Sequence, residues 1–245
     1  MEYTDLAGNK VQTETYYFTV DKTAPVGSIT ISDGVEDKEY TGNNEKATFE
    51  HVSSGAISIR SKVEDATSGV KSVKYYLHKP TVDSNGEFSI PTLEELQNVD
   101  WQDYTTALSL SEDQQAIVYQ RMEDKAGNVS YVNASGAIII DKTAPEKPEI
   151  SIVTKNSKGN MYNGDVTASI HTEDKVVGDT YSGLNTVKVE VLNNGNVTQS
   201  KTYNVGSKQE RKRSFDGQIT VDSKINNSNN VVIRTTVTDW AGNVT

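Results

Sequence analysis

The sequence DKAGN at residues 124–128, followed by DKTAP at residues 141–145, decides the fold of this chain. Both motifs also occur near the start, as DLAGN at residues 5–9 and DKTAP at residues 21–25. The first motif returns near the end, as DWAGN at residues 239–243. Because the motifs recur in the same order, the chain contains an internal repeat.

The repeat has the length of a whole domain. Gly8 and Gly127 are 119 residues apart (127 − 8), and Gly127 and Gly242 are 115 residues apart (242 − 127). Solenoid repeats are much shorter, at about 20–50 residues. The units that we expect are the last turn and strand of a preceding repeat at residues 1–20, a complete domain at residues 21–141, and a second domain without its last strand at residues 142–245.

Each AGN sequence is typical of a tight β-hairpin turn. Glycine and asparagine tolerate positive φ at low cost, and the preceding aspartate can hydrogen-bond the backbone of the turn. Each DKTAP sequence ends a strand, because proline has no N–H to donate and favours extended backbone before it. The structural residues that we expect at the turns and linkers are Gly8, Gly127, Gly242, Pro25 and Pro145.

The paired motifs resemble the bacterial immunoglobulin-like repeats that carry a D-x-A-G-N turn and a D-x-T-A-P linker. Residues 21–141 match this family most fully, also through SGV at 68–70, VKYY at 73–76 and WQDY at 101–104, whereas residues 142–245 match more loosely. The resemblance implies an all-β fold of tandem immunoglobulin-like antiparallel β-sandwiches. It also implies non-catalytic spacer or stalk repeats in a large extracellular bacterial protein, secreted or anchored in the cell wall, that present other domains such as adhesins.

Period-two alternation of apolar and polar side chains predicts the strands. In residues 56–65, for example, Ile57, Ile59 and Val63 share one face. Thr92 with Glu95 three residues later has the pattern of a capping box and predicts a short helix. The polar residues 33–54 indicate a loop. The predicted strands are 11–20, 27–32, 56–65, 70–78, 106–110, 116–123, 130–140, 149–153, 165–172, 184–192, 197–204, 215–221 and 230–238.

Composition limits the partners that we expect. The net charge of −10 disfavours nucleic acid and anionic membrane surfaces, and no apolar run approaches the roughly 20 residues of a membrane span. Hydrophobic residues make up only 34% of the chain, which favours small sandwiches with thin cores, and the absence of cysteine excludes disulfides. The expected partners are neighbouring repeats of the same chain, with cell-surface glycans or proteins as further candidates; nucleic acid and membrane insertion are not expected.

The best candidate site is a set of acidic residues where each domain begins. In an immunoglobulin-like sandwich the linker lies near the loop after the second strand and near the hairpin before the last strand. Carboxylates converging there could hold Ca²⁺, which prefers roughly 6–8 oxygen ligands. The alternative is that each aspartate caps its own turn, because the chain has no contiguous Ca²⁺ loop. The candidate ligands are Asp21, Asp65 and Asp124, then Asp141, Asp174 and Asp239, with Glu64, Glu123 and Glu173 beside them.

No pattern of residues indicates catalysis, and no cofactor other than Ca²⁺ is a candidate. His51, His78 and His171 are far apart, and the sequence has no hydrolase, zinc-protease or phosphate-loop motif. Residues 211–213, Arg-Lys-Arg, are expected in a solvated loop or edge strand. Carbohydrate binding is the alternative function, because sugar sites on β-sandwiches use exposed aromatic faces. The aromatic candidates are Tyr75, Tyr76, Trp101, Tyr104, Tyr119, Tyr131 and Trp240.

Overall fold

The computed structural model describes residues 2–12, 14–81, 88–155 and 159–245. These residues form eighteen β-strands and one helix, and the strands belong to five sheets. All strand pairings but one are antiparallel within this part of the chain. The all-β sandwich fold expected from the sequence is therefore confirmed. No helix among the described residues has the length and hydropathy needed to cross a membrane.

A β-hairpin and a pair of sheets occupy residues 2–140. The pair of sheets, without the hairpin, is here called the N-terminal sandwich. The hairpin consists of β1 (Glu2–Thr4) and β2 (Lys10–Gln12). The strands of the N-terminal sandwich are β3 (Val26–Ser32), β4 (Asp37–Tyr40), β5 (Thr48–Ser53), β6 (Ile57–Glu64), β7 (Val70–His78), β8 (Gln102–Asp103), β9 (Leu108–Leu110), β10 (Gln114–Asp124), β11 (Val129–Asn133) and β12 (Gly136–Ile140).

The two sheets of the N-terminal sandwich enclose one apolar core. One sheet has the order β4-β3-β6-β9, and the other has the order β5-β12-β10-β7-β8 with β11 also paired to β10. Alternate residues of β3, such as Ile29 and Ile31, face inward against Val118 of β10 and Ile138 of β12. The pairing of β12 with β5 is parallel.

The outer face of the larger sheet is covered as well. The helix α1 (Leu93–Leu96) begins at Thr92, whose side chain and that of Glu95 form the capping box expected from the sequence. Leu96 of α1 packs with Phe49 and Ile139 in a second apolar cluster on this face. Strand β12 is consequently buried on both faces, which explains its continuous apolar sequence.

A second pair of sheets, the C-terminal sandwich, encloses a separate core. Its sheets have the orders β13-β14-β17 and β16-β15-β18. Ala168 and Ile170 from one sheet meet Val187, Val189 and Val237 from the other. The strands are β13 (Glu149–Ile152), β14 (Val166–Glu173), β15 (Leu184–Asn193), β16 (Asn196–Asn204), β17 (Ser214–Val221) and β18 (Val231–Asp239).

Three sequence expectations about strands were wrong. Residues 33–54 are not simply a loop, because β4 and β5 lie within them and bury Tyr40 and Phe49. The strand predicted at 11–20 ends at Gln12 in the described residues, and residues 14–20 are not in a strand. The strand predicted at 130–140 is interrupted at residues 134–135, because β11 and β12 pair with different stretches of β10.

Candidate metal centres

Each sandwich begins with three aspartates whose carboxylates converge. Within each triad, one oxygen atom from every residue lies within 4.8 Å of the other two. The linker supplies the first aspartate, the end of β6 or β14 supplies the second, and the end of β10 or β18 supplies the third. The N-terminal triad consists of Asp21, Asp65 and Asp124, and the C-terminal triad consists of Asp141, Asp174 and Asp239.

Backbone N–H groups hold the carboxylates of the N-terminal triad. Ser68 N–H donates to Asp21 Oδ2 at 3.0 Å and to Asp65 Oδ1 at 2.9 Å. Gly69 N–H donates to the same Asp65 oxygen at 2.6 Å. The Ser68 and Thr23 hydrogen bonds hold the pKa of Asp21 below its ordinary value. Asp21 and Asp65 are half-exposed, whereas Asp124 is buried.

The C-terminal triad has the same plan but is wholly buried. Ser182 N–H donates to Asp141 Oδ2 at 2.7 Å, and Gly183 N–H donates to Asp174 Oδ2 at 2.6 Å. All three aspartates are at most 1% exposed. The other oxygen of Asp174, Oδ1, is buried and accepts no hydrogen bond from any described residue.

Burial and mutual repulsion perturb the C-terminal triad. Burial, with the charge of Asp141 added, raises the pKa of Asp174 to about 7. Burial also raises the pKa of Asp239 to about 6, even though hydrogen bonds from Asn243 oppose the shift. In the N-terminal triad, burial raises the pKa of Asp124, but hydrogen bonds from Asn128 prevail and lower it below its ordinary value. A bound cation or a proton would compensate the buried charges of the C-terminal triad.

The asparagine of each AGN turn ties the linker to the sandwich. Asn128 Nδ2 donates to Asp124 Oδ2 at 2.6 Å and to the backbone carbonyl of Asp21 at 3.2 Å. Asn243 Nδ2 donates to Asp239 Oδ2 at 2.8 Å and to the backbone carbonyl of Asp141 at 2.9 Å. The linker carbonyls reached by these amides lie 120 residues apart (141 − 21), so the two anchors are repeats of one arrangement.

The linker prolines and turn glycines complete this anchor. Pro25 and Pro145 are buried, and their carbonyls accept hydrogen bonds from Ser130 Oγ and Thr245 Oγ1. Gly127 has a φ of +93°, in the left-handed region that the hairpin requires. Gly8 and Gly242 have nearly the same φ, at +88° and +90°.

Turn capping, the alternative role of the aspartates, is also present. Asp124 Oδ1 and Asp239 Oδ1 each accept the N–H of the turn asparagine at 2.8 Å. Asp5 makes the same contact with Asn9 at 2.8 Å, although Asp5 belongs to neither triad. The third aspartate of each triad therefore caps its turn whether or not a cation binds, and the capping itself does not favour a cation.

The residues of the C-terminal triad fit a hard cation such as Ca²⁺. Three carboxylates supply several of the oxygen ligands that Ca²⁺ prefers, and the unpartnered Asp174 Oδ1 is a free acceptor among them. The N-terminal triad has the same geometry, but its carboxylates are better satisfied by N–H donors. The glutamates beside the triads do not join them: Glu64 pairs with Lys62, Glu123 with Lys71 and Arg121, and Glu173 with Arg213.

Arg211 is the residue that the sequence interpretation misplaced. It is 7% exposed, and its guanidinium lies between the rings of Phe49 and Tyr181, at 4.4 and 4.1 Å from their centroids. Its Nη1 donates to Gln115 Oε1 at 3.1 Å. Since Phe49 and Gln115 belong to the N-terminal sandwich, Arg211 bridges the two sandwiches rather than facing solvent. A short basic run carries no signal that distinguishes these two outcomes.

The aromatic candidates for carbohydrate binding do not form an exposed face. All seven are buried or half-buried. Tyr76 packs with Trp101 and Tyr119, Trp101 Nε1 donates to the carbonyl of Leu96 at 2.8 Å, and the Tyr104 hydroxyl accepts the N–H of Ser61. These side chains stabilise the sheet and its contact with the segment around α1 that covers it.

Comparison with known proteins adds no family to this geometry. The chain matches no protein-family model, and a search of curated proteins finds no relative.

Proposed function

We propose that this chain is a non-catalytic spacer in a large bacterial cell-surface or secreted protein, built from tandem immunoglobulin-like sandwiches. The observation that carries the proposal is the repeated anchor, in which the turn asparagine and the linker proline carbonyl tie the linker to the sandwich. An anchor of this kind restricts the movement of the linker relative to the sandwich that follows it. A chain that repeats it along its length holds its neighbours at fixed separations, as a stalk requires.

Contacts across the junction of the two sandwiches support the same function. Lys79 Nζ lies 2.6 Å from Asp179 Oδ2, and the N–H of Lys142 donates to Asp113 Oδ1 at 2.6 Å. With the buried guanidinium of Arg211, these contacts resist bending between the sandwiches. The surface ion pair of Lys79 contributes little energy, and the contact of Lys142 is a single backbone hydrogen bond, so the buried arginine is the main side-chain restraint.

We further propose that Ca²⁺ binds the aspartate triads and stiffens each junction. Each triad joins the linker to two loops of the sandwich that follows it, so a bound cation would cross-link three separate segments. The buried, mutually repelling carboxylates of the C-terminal triad gain most from a positive charge. This triad is therefore the principal site.

Single-molecule energy transfer tests the spacer function. The chain has no cysteine, so Glu39→Cys with Thr202→Cys places one dye on an exposed position of each sandwich. A spacer gives one narrow distance distribution, which narrows further when Ca²⁺ replaces EDTA. A broad distribution in both conditions would mean freely jointed domains and would overturn the proposal.

A glycan array distinguishes the alternative, a carbohydrate-binding or adhesive module. The half-buried aromatics described above do not favour it. Specific, saturable binding of a glycan by the chain would replace the spacer as the function.

A further inference from the structure

A single peptide group joins the guanidinium of Arg211 to the C-terminal triad. Arg211 Nη2 donates to the carbonyl oxygen of Tyr181 at 2.7 Å. The N–H of the same peptide group, that of Ser182, donates to Asp141 Oδ2 at 2.7 Å. A positive charge at one end and a negative charge at the other polarise this peptide group and strengthen both hydrogen bonds. The arginine that bridges the two sandwiches is therefore coupled to the candidate cation site.

The backbone around Arg211 also packs against the triad. The N–H of Asp174 donates to the carbonyl of Arg213 at 2.7 Å. Gly183, whose N–H holds Asp174 Oδ2, lies so close to Arg211 that an added Cβ would be 2.7 Å from the arginine Cα. These contacts fix the position of the Arg211 backbone relative to Asp174.

The arginine and the triad each contain a buried atom without a partner. Arg211 Nε and Asp174 Oδ1 make no hydrogen bond to any described residue. Burial lowers the pKa of Arg211, while the charges of Asp174 and Asp141 oppose this shift. The arginine thus supplies part of the positive charge that the buried carboxylates require.

The N-terminal triad has no arginine of this kind. Ser68 N–H makes the equivalent hydrogen bond to Asp21 Oδ2. The two arginines of the N-terminal sandwich, Arg60 and Arg121, pair with acidic side chains outside the triad. The N-terminal triad is therefore an internal control for any effect of Arg211 on cation binding.

We propose that Arg211 and a bound cation are alternative counter-charges for the C-terminal triad, so that the arginine lowers the affinity of this triad for Ca²⁺. This inference rests on the cation site proposed above and adds its regulation. A cation in the triad repels the guanidinium across the shared peptide group, whereas removal of the guanidinium leaves the carboxylates to the cation alone. By thermodynamic linkage, binding of the cation weakens the arginine contact by the same factor.

The two counter-charges restrain the junction through different contacts. The cation would join the linker to the C-terminal sandwich through Asp141. The arginine holds Phe49 and Gln115 of the N-terminal sandwich. The junction is therefore restrained without a cation as well as with one.

Calorimetric titration of the full chain with Ca²⁺ near pH 8 tests this proposal. The binding step that Asp174→Asn abolishes belongs to the C-terminal triad. Arg211 has a φ of +46°, so glycine and asparagine, which tolerate this region, are the suitable replacements. We expect Arg211→Gly and Arg211→Asn to tighten this step at least about tenfold and to leave the step of the N-terminal triad unchanged.

The direction of the effect separates charge from structural damage. A disturbed site would bind Ca²⁺ more weakly, so tighter binding identifies the lost positive charge as the cause. Unchanged or weaker binding in both variants would overturn the proposal. Arg213→Ser removes a nearby guanidinium that pairs with Glu173 at the surface and should alter the affinity less than about twofold. If Arg213→Ser tightens binding as much as Arg211→Gly does, only the net charge matters and the proposal fails.

A double-mutant cycle in EDTA tests the coupling without any cation. Cooperative melts first show that each variant is folded. Arg211→Gly should lower the melting temperature of the unchanged chain more than that of Asp174→Asn, whose triad carries one charge fewer. Equal decreases in the two backgrounds would overturn the proposal even if Ca²⁺ binds.

The titrations also distinguish failure of this inference from failure of the cation function. If the unchanged chain takes up no Ca²⁺ but Arg211→Gly does, the cation-stiffened junction is wrong and the arginine is the counter-charge that excludes the ion. If neither protein takes up Ca²⁺, both proposals fail. If both bind Ca²⁺ with equal affinity, the cation function stands and the role of Arg211 is refuted.

Discussion

Replacing Asp174 by asparagine should stabilise the cation-free protein above neutral pH. Asp174 is buried beside Asp141 and Asp239, and its Oδ1 has no hydrogen-bond donor among the described residues. The asparagine oxygen can still accept the N–H of Gly183, which now bonds Oδ2 at 2.6 Å. Its amide group would then donate toward the neighbouring carboxylates. The substitution therefore replaces a repulsive contact with an attractive one.

The size and pH dependence of this effect follow from the pKa of Asp174. Burial and Asp141 raise that pKa from 3.8 to about 7, a shift of roughly three units that corresponds to about 4 kcal/mol. Because the folded state binds the proton more tightly than the unfolded chain does, this contribution favours folding below the unfolded pKa. It is lost as the pH rises through about 7. In EDTA, the gain from Asp174→Asn should be about 2–4 kcal/mol near pH 8 and much smaller near pH 5.

Thermal melts in EDTA at these two pH values measure the effect. A gain of this size raises the melting temperature of a domain of about 100 residues by roughly 10–20 °C. The matched control is Asp65→Asn in the N-terminal triad, where the carboxylate already accepts N–H bonds from Ser68 and Gly69. That variant should be less stable than the unchanged protein at both pH values. If Asp174→Asn is also less stable than the unchanged protein in EDTA near pH 8, repulsion among the three buried carboxylates does not destabilise the cation-free fold, and the reasoning is refuted.

Three other substitutions test the turn, the linker anchor and the junction. Gly127→Val should cost about 1–3 kcal/mol because its φ is +93°, whereas Gly42→Val, at a half-exposed position with open space around its Cα, should change the melting temperature little; equal effects would exclude backbone strain. Asn243→Ala removes the amide that holds the Asp141 carbonyl and should lower the free energy of unfolding by about 1–2 kcal/mol in urea titrations; an unchanged midpoint would show that the linker is not held there. Arg211→Gly keeps the positive φ of that position, which is +46°, but deletes the guanidinium, and should broaden the distance distribution between the dyes; an unchanged distribution would mean that Arg211 does not restrain the junction.

The repeat made the position of the triads predictable. The spacing of the two motifs indicated which loops meet the linker. The structure brings the six aspartates chosen from the sequence together as two triads, one in each sandwich. The motif spacing did not show that the three neighbouring glutamates, Glu64, Glu123 and Glu173, stay outside the triads. Each is adjacent to a triad aspartate, so side-chain alternation turns it to the other face, where Lys62, Lys71 or Arg213 pairs with it.

The features that the sequence did not indicate depend on long-range packing. β4 and β5 lie in a polar stretch, and contacts with other segments bury Tyr40 and Phe49 there. Tyr40 lies against Glu50 and His51 of β5, and Phe49 lies against Phe88. Arg211 is a similar case, because its partners Phe49 and Gln115 lie 162 (211 − 49) and 96 (211 − 115) residues earlier in the chain. Local pattern identifies strands and turns but not the faces that two sandwiches present to each other.

The most direct test of the cation-stiffened spacer is a pair of thermal melts near neutral pH, one in EDTA and one in millimolar Ca²⁺. Ligand that binds only the folded state raises stability, by about 4 kcal/mol at a thousandfold excess over the dissociation constant. We expect the melting temperature to rise by several degrees in Ca²⁺, and the rise to be largely lost in Asp174→Asn. Identical melts of the unchanged chain in EDTA and Ca²⁺ would contradict the account and leave the triads as turn caps that share a proton.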